Sequence, residues 1–310
     1  MLQSAVRFAP VDVLSILMGW GLALGGLLHF RAMEDRHGIA VMAVAGCVPF
    51  LIAWMRARFP QSKVAGVVGD YYPILVILAI FDGLGPFIRA IHPIDRDATL
   101  IAIDRMIFGG DPTVLLEPLA TPFLLDVLTL CYVLYYFHPI IMGVLVWRDE
   151  RRAGAPTTHK GTSPFHAYVF TMVLAFYASY VGYFFVPAIG PRFTVTHGGP
   201  LPRGTISRVI DETLNKLERN KRNCFPSGHT MITVAVLVEA ARRSKRTFLG
   251  FLPFALGLFV ATVFCRYHYF IDVAAGLVFG ILVVPLGHAL VKRWDQRVIA
   301  PSRSPDPLEA

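Results

Sequence analysis

Charge is what this chain has least of: 16% of its residues are Asp, Glu, Lys or Arg, where soluble domains carry about 25%. The shortfall runs along the whole chain and argues against an ordinary soluble domain. Long apolar runs take its place, and mean hydropathy reaches +0.56. A helix needs about 20 mostly apolar residues to cross the hydrocarbon core of a bilayer. Runs that meet or approach this length lie at 11–30, 39–55, 72–88, 122–147, 165–187, 229–241, 249–264 and 269–291. The expected fold is all-α, a polytopic membrane helix bundle of about eight spans, or six to seven if 39–55 or 72–88 is re-entrant. The run at 229–241 is short, and Arg242 and Arg243 can snorkel to lengthen it.

Other features are also missing. The first apolar run is followed by "HFRAMED" and has no small-residue cleavage site, so it reads as a retained helix rather than a secretory signal. No internal repeat stands out, and only the tail "APSRSPDPLEA" has the composition of a disordered segment. Cysteine is limited to four residues. Cys47 and Cys131 fall inside apolar runs, where small packing residues are the simplest reading. Cys224 and Cys265 fall at one face, and free thiols are expected there over a bridge, because spacing alone establishes no pairing.

The net charge of +8 invites a nucleic-acid partner, but the basic residues sit in the connections between spans, where they set orientation. Sixteen lie on the side of the N-terminus. Six lie on the other side once the long 187–228 connection is set aside. The expected arrangement has both termini cytoplasmic in a bacterial inner or plasma membrane, with membrane lipids rather than nucleic acid as partners.

Three polar clusters then fall at the non-cytoplasmic face: "PAIGPR" at 187–192, "CFPSGHT" at 224–230 and "CRYHYFID" at 265–272. Ser227 suits a helix N-cap, Gly228 allows close approach to the backbone, and His229 falls in the first turn. A helix N-terminus of this kind attracts anions, and His229 could protonate a leaving oxygen. The plain alternative is a capped helix with an interfacial histidine. His268 and Asp272 share a face if they lie on one helix, so the carboxylate can orient the ring as base or nucleophile; a merely structural pair is the alternative. Arg192 and Arg266 can fork onto phosphate oxygens, although each alone also suits an interfacial anchor.

Together these groups favour an oxyanion, with phosphate the usual one. A serine hydrolase fits less well because "PSGH" lacks the G-x-S-x-G elbow. A metal site also fits less well, since the arginines would repel the ion, and no cofactor is expected. Ionisable residues inside spans need partners. Among them Asp126, near the non-cytoplasmic end of its span, is a candidate to bind a polyol acceptor. Residues 206–217 form an amphipathic helix that reads equally as a membrane-surface lid or a packing helix. Arg219, Lys221 and Arg222 behind it could attract anionic head groups, or be a solvated charge run. The aromatic stretch "YVLYYFHP" at 132–139 reads as core and interfacial belt.

With those residues assembled, the chain resembles the type 2 phosphatidic acid phosphatase superfamily, on "FPSGHT" and "HYFIDVAAG" and their separation of about forty residues. It further resembles the branch containing inositol phosphorylceramide synthases, through "DRMIFGGDPTVLLEPL" at 104–119. The resemblance implies N-terminal transmembrane helices at 1–69, a phosphatase or phosphotransferase core at 70–295 and a flexible tail at 296–310. It implies a lipid phosphate substrate, no metal, and a phosphohistidine on His268 oriented by Asp272. His229 would act as the acid, with Ser227, Gly228, Arg192 and Arg266 holding phosphoryl oxygens. Two positions depart from the family pattern. Phe185 stands where a lysine is usual seven before Arg192, and Thr262 stands where an arginine is usual six before His268. On one continuous helix Arg266 would face nearly the same way as residue 262, one turn closer, and so could substitute. A soluble haloperoxidase uses a similar site, and a transporter would carry its ionisable groups nearer mid-membrane.

Overall fold

The computed structural model describes residues 7–33, 35–153, 162–217 and 220–299, apart from the side chains of Leu217 and Ile299. Arg219 and the tail from residue 300 lie outside the described residues. Helices and short connections make up the described chain, with no strand among the described residues. In order the helices are α1 (Pro10–Leu28), α2 (His37–Arg58), α3 (Lys63–Ile91), α4 (Asp97–Phe108), α5 (Pro112–Leu115), α6 (Pro122–Val133) and α7 (His138–Arg152). There follow α8 (Pro164–Phe185), α9 (Pro191–Thr194), α10 (Thr205–Leu217), α11 (Gly228–Arg243), α12 (Lys245–Phe264) and α13 (Phe270–Ile299).

Six of these, α1, α2, α3, α8, α12 and α13, are long and apolar enough to cross a membrane, as an integral membrane protein requires. The pair α6 and α7 makes a seventh crossing if it is one span, bent by 47°. With its 16 residues, α11 reaches only about 24 Å at 1.5 Å per residue. The interruption does not fall at 39–55 or 72–88, which run unbroken inside α2 and α3. It falls at Leu134–Tyr136, a 3-10 turn just before His138 and Pro139. Pro139 has no N–H to donate, and its ring would clash with the carbonyl four residues back.

Two apolar cores share α8. One packs Phe170 and Tyr177 against α1, α2 and α3. The other packs Tyr168 and Met172 against α7, α11, α12 and α13. Glycine sets the spacing of the second. A Cβ on Gly276 would lie 2.6 Å from the Ser227 carbonyl oxygen, and one on Gly280 would lie 2.6 Å from that of Met231. Only glycine at these two positions lets α13 approach the backbone of α11 so closely. The first turns of α11 and α13 are thereby brought side by side.

Candidate active site

At the start of α11, Ser227 is the N-cap, as its place before Gly228 predicts. Its Oγ accepts from Thr230 N at 3.3 Å and from the Thr230 hydroxyl at 3.1 Å. Its own N–H donates to the Asp272 carbonyl at 3.0 Å, tying the two helix starts together. A Cβ on Gly228 would meet the Tyr183 hydroxyl at 2.6 Å, so no larger residue fits there. His229, one residue on, lies between aromatic rings: Tyr132 stacks on it at 4.6 Å and Tyr135 lies tilted at 4.5 Å.

The end of α12 sets the second motif. The Tyr267 and His268 N–H groups both donate to the Thr262 carbonyl at 2.9 Å, and the Arg266 N–H donates to that of Val263 at 3.0 Å. This is a Schellman turn, with the left-handed position after the C-cap normally taken by glycine. Arg266 occupies it with φ of 67°, which costs a non-glycine residue about 1–2 kcal/mol. The chain therefore leaves the helix at Phe264. The helical comparison of residues 262 and 266 does not apply, because the two are not on one helix. Arg266 instead reaches Glu117 (Nη2 to Oε1, 3.0 Å) and the Gly199 carbonyl (Nη1, 2.9 Å). Its buried Nε has no partner.

His268 likewise precedes α13 rather than lying on it, so it does not meet Asp272 as one helical face would arrange. Asp272 is in the first turn, where its Oδ2 accepts from Tyr269 N at 2.9 Å, the back-bond of a capping box. The Cys224 thiol donates to the same oxygen at 2.9 Å. His268 Nδ1 stands 3.5 Å from that oxygen and 3.0 Å from the Cys224 carbonyl. A carbonyl only accepts, so Nδ1 carries the ring proton and Nε2 keeps the lone pair. The donor atoms of Cys224, His268 and Asp272 lie within 4.8 Å of one another, so this trio is the group that could hold a metal ion among the described residues. All four cysteines are free thiols, and burial pushes the Cys224 thiol well above its ordinary pKa.

A cavity of about 310 Å³ opens over these turns. Arg192, Lys221, His229, Arg266 and His268 line it, together with Tyr132, Tyr267 and three asparagines. The two histidine rings are 5.7 Å apart, centre to centre. Segments 187–192, 224–230 and 265–272 thus meet at one site. Ser227 and Asp272 are fully buried and, like Gly228, are not among the residues that line the cavity. Arg192 has both terminal nitrogens engaged by α10, Nη1 with Asn215 Oδ1 at 2.9 Å and Nη2 with Asp211 Oδ2 at 3.0 Å. The polar side of α10, not only its apolar one, meets the rest of the chain. Asp211 turns inward, because Arg192, Arg203 and the Tyr267 hydroxyl converge on it, and Ile206 and Val209 are left exposed. Asp126 is spent on the start of α10, accepting from Ser207 N at 2.7 Å. Lys221 Nζ lies over the Phe193 ring at 5.3 Å.

The sequence reading missed residues upstream. Tyr132 and Tyr135, in a stretch that reads as core and interfacial belt, hold the His229 ring. In α4, Asp97 and Asp104 carry buried carboxylates. Asp104 accepts from Phe270 N at 2.7 Å and Ile271 N at 3.0 Å. Asp97 accepts from Gly190 N at 2.9 Å and the Tyr269 hydroxyl at 2.8 Å. Only Asp104 had a signal, as the first residue of the segment singled out at 104–119; Asp97 lies before it.

No curated protein and no solved structure matches the chain. The model of the PAP2 superfamily does match, over residues 164–296, a stretch that takes in all three clusters of the cavity. The chain carries a PAP2 superfamily domain at residues 164–296.

Proposed function

We propose that the protein is a membrane-embedded lipid phosphatase or phosphotransferase that works through a phosphohistidine, without a metal. Members of the superfamily are phosphatases or phosphotransferases. The observation that carries the reading is the His268 ring: Nδ1 is held by the Cys224 carbonyl at 3.0 Å, in a residue that lines the cavity. Nε2 is then the nitrogen available to attack phosphorus. A P–N bond forms as the P–O bond to the leaving group breaks, and His229 gives that oxygen its proton. Water or a polyol-type alcohol, deprotonated by His229, attacks next and returns His268 to its free state. Asp272 stabilises the positive ring that forms in the first step. Arg192 and Arg266 carry the phosphoryl charge, and the N-terminus of α11, with the buried Ser227 as its cap and Gly228 as its first residue, adds its dipole from behind the cavity wall.

The inositol phosphorylceramide synthase branch gives a second reading, a head-group transferase to a lipid acceptor. It is favoured by the contact of Asp104, the first residue of "DRMIFGGDPTVLLEPL", with the start of α13. In this reading the functional unit is 70–295, longer than the matched domain. With the short α11 as an eighth crossing, both termini are cytoplasmic in this reading, and the cavity opens on the non-cytoplasmic side, as the distribution of basic residues supports. The test is turnover of a panel of lipid phosphates by purified protein, with and without inositol and with chelator present. Phosphate release that survives chelation supports the hydrolase, and an inositol-dependent lipid product supports the transferase. Loss of all turnover on chelation would overturn the metal-free site.

A further inference from the structure

Four backbone N–H groups of the cavity motifs are held by two buried carboxylates on α4, outside the matched domain. The N-terminal N–H groups of a helix have no partner within the helix and must find one elsewhere. For α13 the partner is Asp104. Its two oxygens take the N–H groups of Phe270 and Ile271 at 2.7 and 3.0 Å, and Asp272 takes that of Tyr269. The residue that precedes Tyr269 is His268. The orientation of the first turn of α13, with His268 before it and Asp272 inside it, is thus referred to a side chain 164 positions before His268. Phe108, at the end of α4, packs edge-on to Phe270 at 4.8 Å and fixes the same approach.

The other end of α4 holds the other motif. Asp97 accepts from Ile189 N at 3.1 Å and Gly190 N at 2.9 Å, where Gly190 has φ of 95°. That turn leads directly into Arg192. The Tyr269 hydroxyl, bonded to Asp97, also meets Thr194 Oγ1 at 2.5 Å and closes the link between the loops. Both carboxylates are almost fully buried, at 5% exposure for Asp97 and 1% for Asp104. Burial raises the Asp104 carboxyl above its usual range, opposed by the two backbone N–H donors. A buried carboxylate kept only for stability would be a poor choice, because its desolvation offsets much of what its hydrogen bonds contribute.

We propose that α4 is a positioning element of the active site, in which Asp104 sets the attack geometry of His268 and Asp97 sets the phosphate-binding loop of Arg192. The inference rests on the phosphohistidine reading above. It assigns the two residues different kinetic signatures, which a shared structural role would not produce.

The test uses the full chain in mixed micelles, with turnover of a lipid phosphate and binding of orthovanadate, which mimics the five-coordinate phosphorus. Asp104→Asn cannot accept from both N–H groups, and kcat should fall about 10–100-fold, as when the partner that orients a reacting ligand is removed. KM should stay within about threefold, and vanadate affinity should fall with kcat. Asp97→Asn should raise KM and weaken inorganic phosphate about tenfold, with kcat much less affected. Asp104→Glu, with charge and acceptors retained but displaced by one methylene, should also lose kcat and not KM. Equal losses in kcat, KM and thermal midpoint for the Asp97 and Asp104 variants would overturn the inference, as would failure of both Asp104 variants to accumulate as folded protein. If the unmodified protein turns over no lipid phosphate, the proposed function falls separately. Vanadate then decides, with weaker binding to Asp104→Asn supporting α4 as a positioning element. Equal binding, or none to the unmodified protein, would refute it.

Discussion

Arg266 pays for an unfavourable backbone conformation, and what it gains in return can be measured. Of its three guanidinium nitrogens, Nη1 and Nη2 hold Gly199 and Glu117, while the buried Nε has no partner. If Nε–H donates to a phosphoryl oxygen, Arg266→Ala loses one oxyanion donor, worth about 3 kcal/mol or roughly 150-fold in kcat/KM. Alanine has the same left-handed penalty as arginine, so the comparison is free of backbone strain. Glu117→Gln keeps an acceptor for Nη2 and removes only the charge of a partly exposed pair, so it should cost about 1 kcal/mol or less, roughly fivefold. Arg266→Lys should restore activity only in part, since an ammonium cannot serve three directions at once. Arg266→Gly relaxes the turn and should be about 1 kcal/mol more stable than Arg266→Ala while being equally inactive. The assay is kcat/KM for a lipid phosphate in a double-mutant cycle of Arg266 and Glu117. If Glu117→Gln is as damaging as Arg266→Ala, and the double variant no worse than either, Arg266 only braces two loops and its Nε holds no phosphate.

The two histidines separate by chemistry. His268→Ala should form no covalent adduct from a substrate labelled at phosphorus, while His229→Ala should still form one from an activated ester whose leaving group needs no proton; acid-labile label on His229 in the first variant would reverse the roles. Asp211→Ala should free Nη2 of Arg192, leaving Nη1 on Asn215, and tighten inorganic phosphate about tenfold, the worth of one charge-assisted contact of about 1.4 kcal/mol. Unchanged phosphate inhibition would mean that Asp211 and the ligand do not compete. Gly276→Ala should push α13 off the Ser227 carbonyl and lower kcat at least tenfold, and a variant with full turnover would refute the close approach as the source of the His229–His268 spacing. A cysteine in place of Pro200 should react with a membrane-impermeant reagent in intact cells, and its protection would place the cavity on the cytoplasmic side.

Much of the architecture was written in local sequence. Apolar runs of bilayer length dictate helices wherever they occur, because lipid offers the backbone no other hydrogen-bond partner. The Ser227 cap likewise needs only its neighbours, so α11 and its first turn were legible, as were the three clusters that meet at the cavity. What the sequence alone could not decide depended on contacts between distant segments. The Arg266 turn read as helix because nothing in "FCRYHYF" is a glycine, and only the structure reveals a left-handed residue tied to Glu117. Tyr132 and Tyr135 read as core because an aromatic ring looks the same in sequence whether it packs on leucine or on His229. Whether the helix at 206–217 was a lid or a packing helix stayed open, because the arginines that draw Asp211 inward come from other segments. Asp97 and Asp104 carry no local mark either, since the N–H groups they satisfy belong to helix and loop starts more than ninety residues away. Local propensity determines which segments are helices; long-range hydrogen bonding to buried charge determines where their ends point, and the chemistry is at those ends.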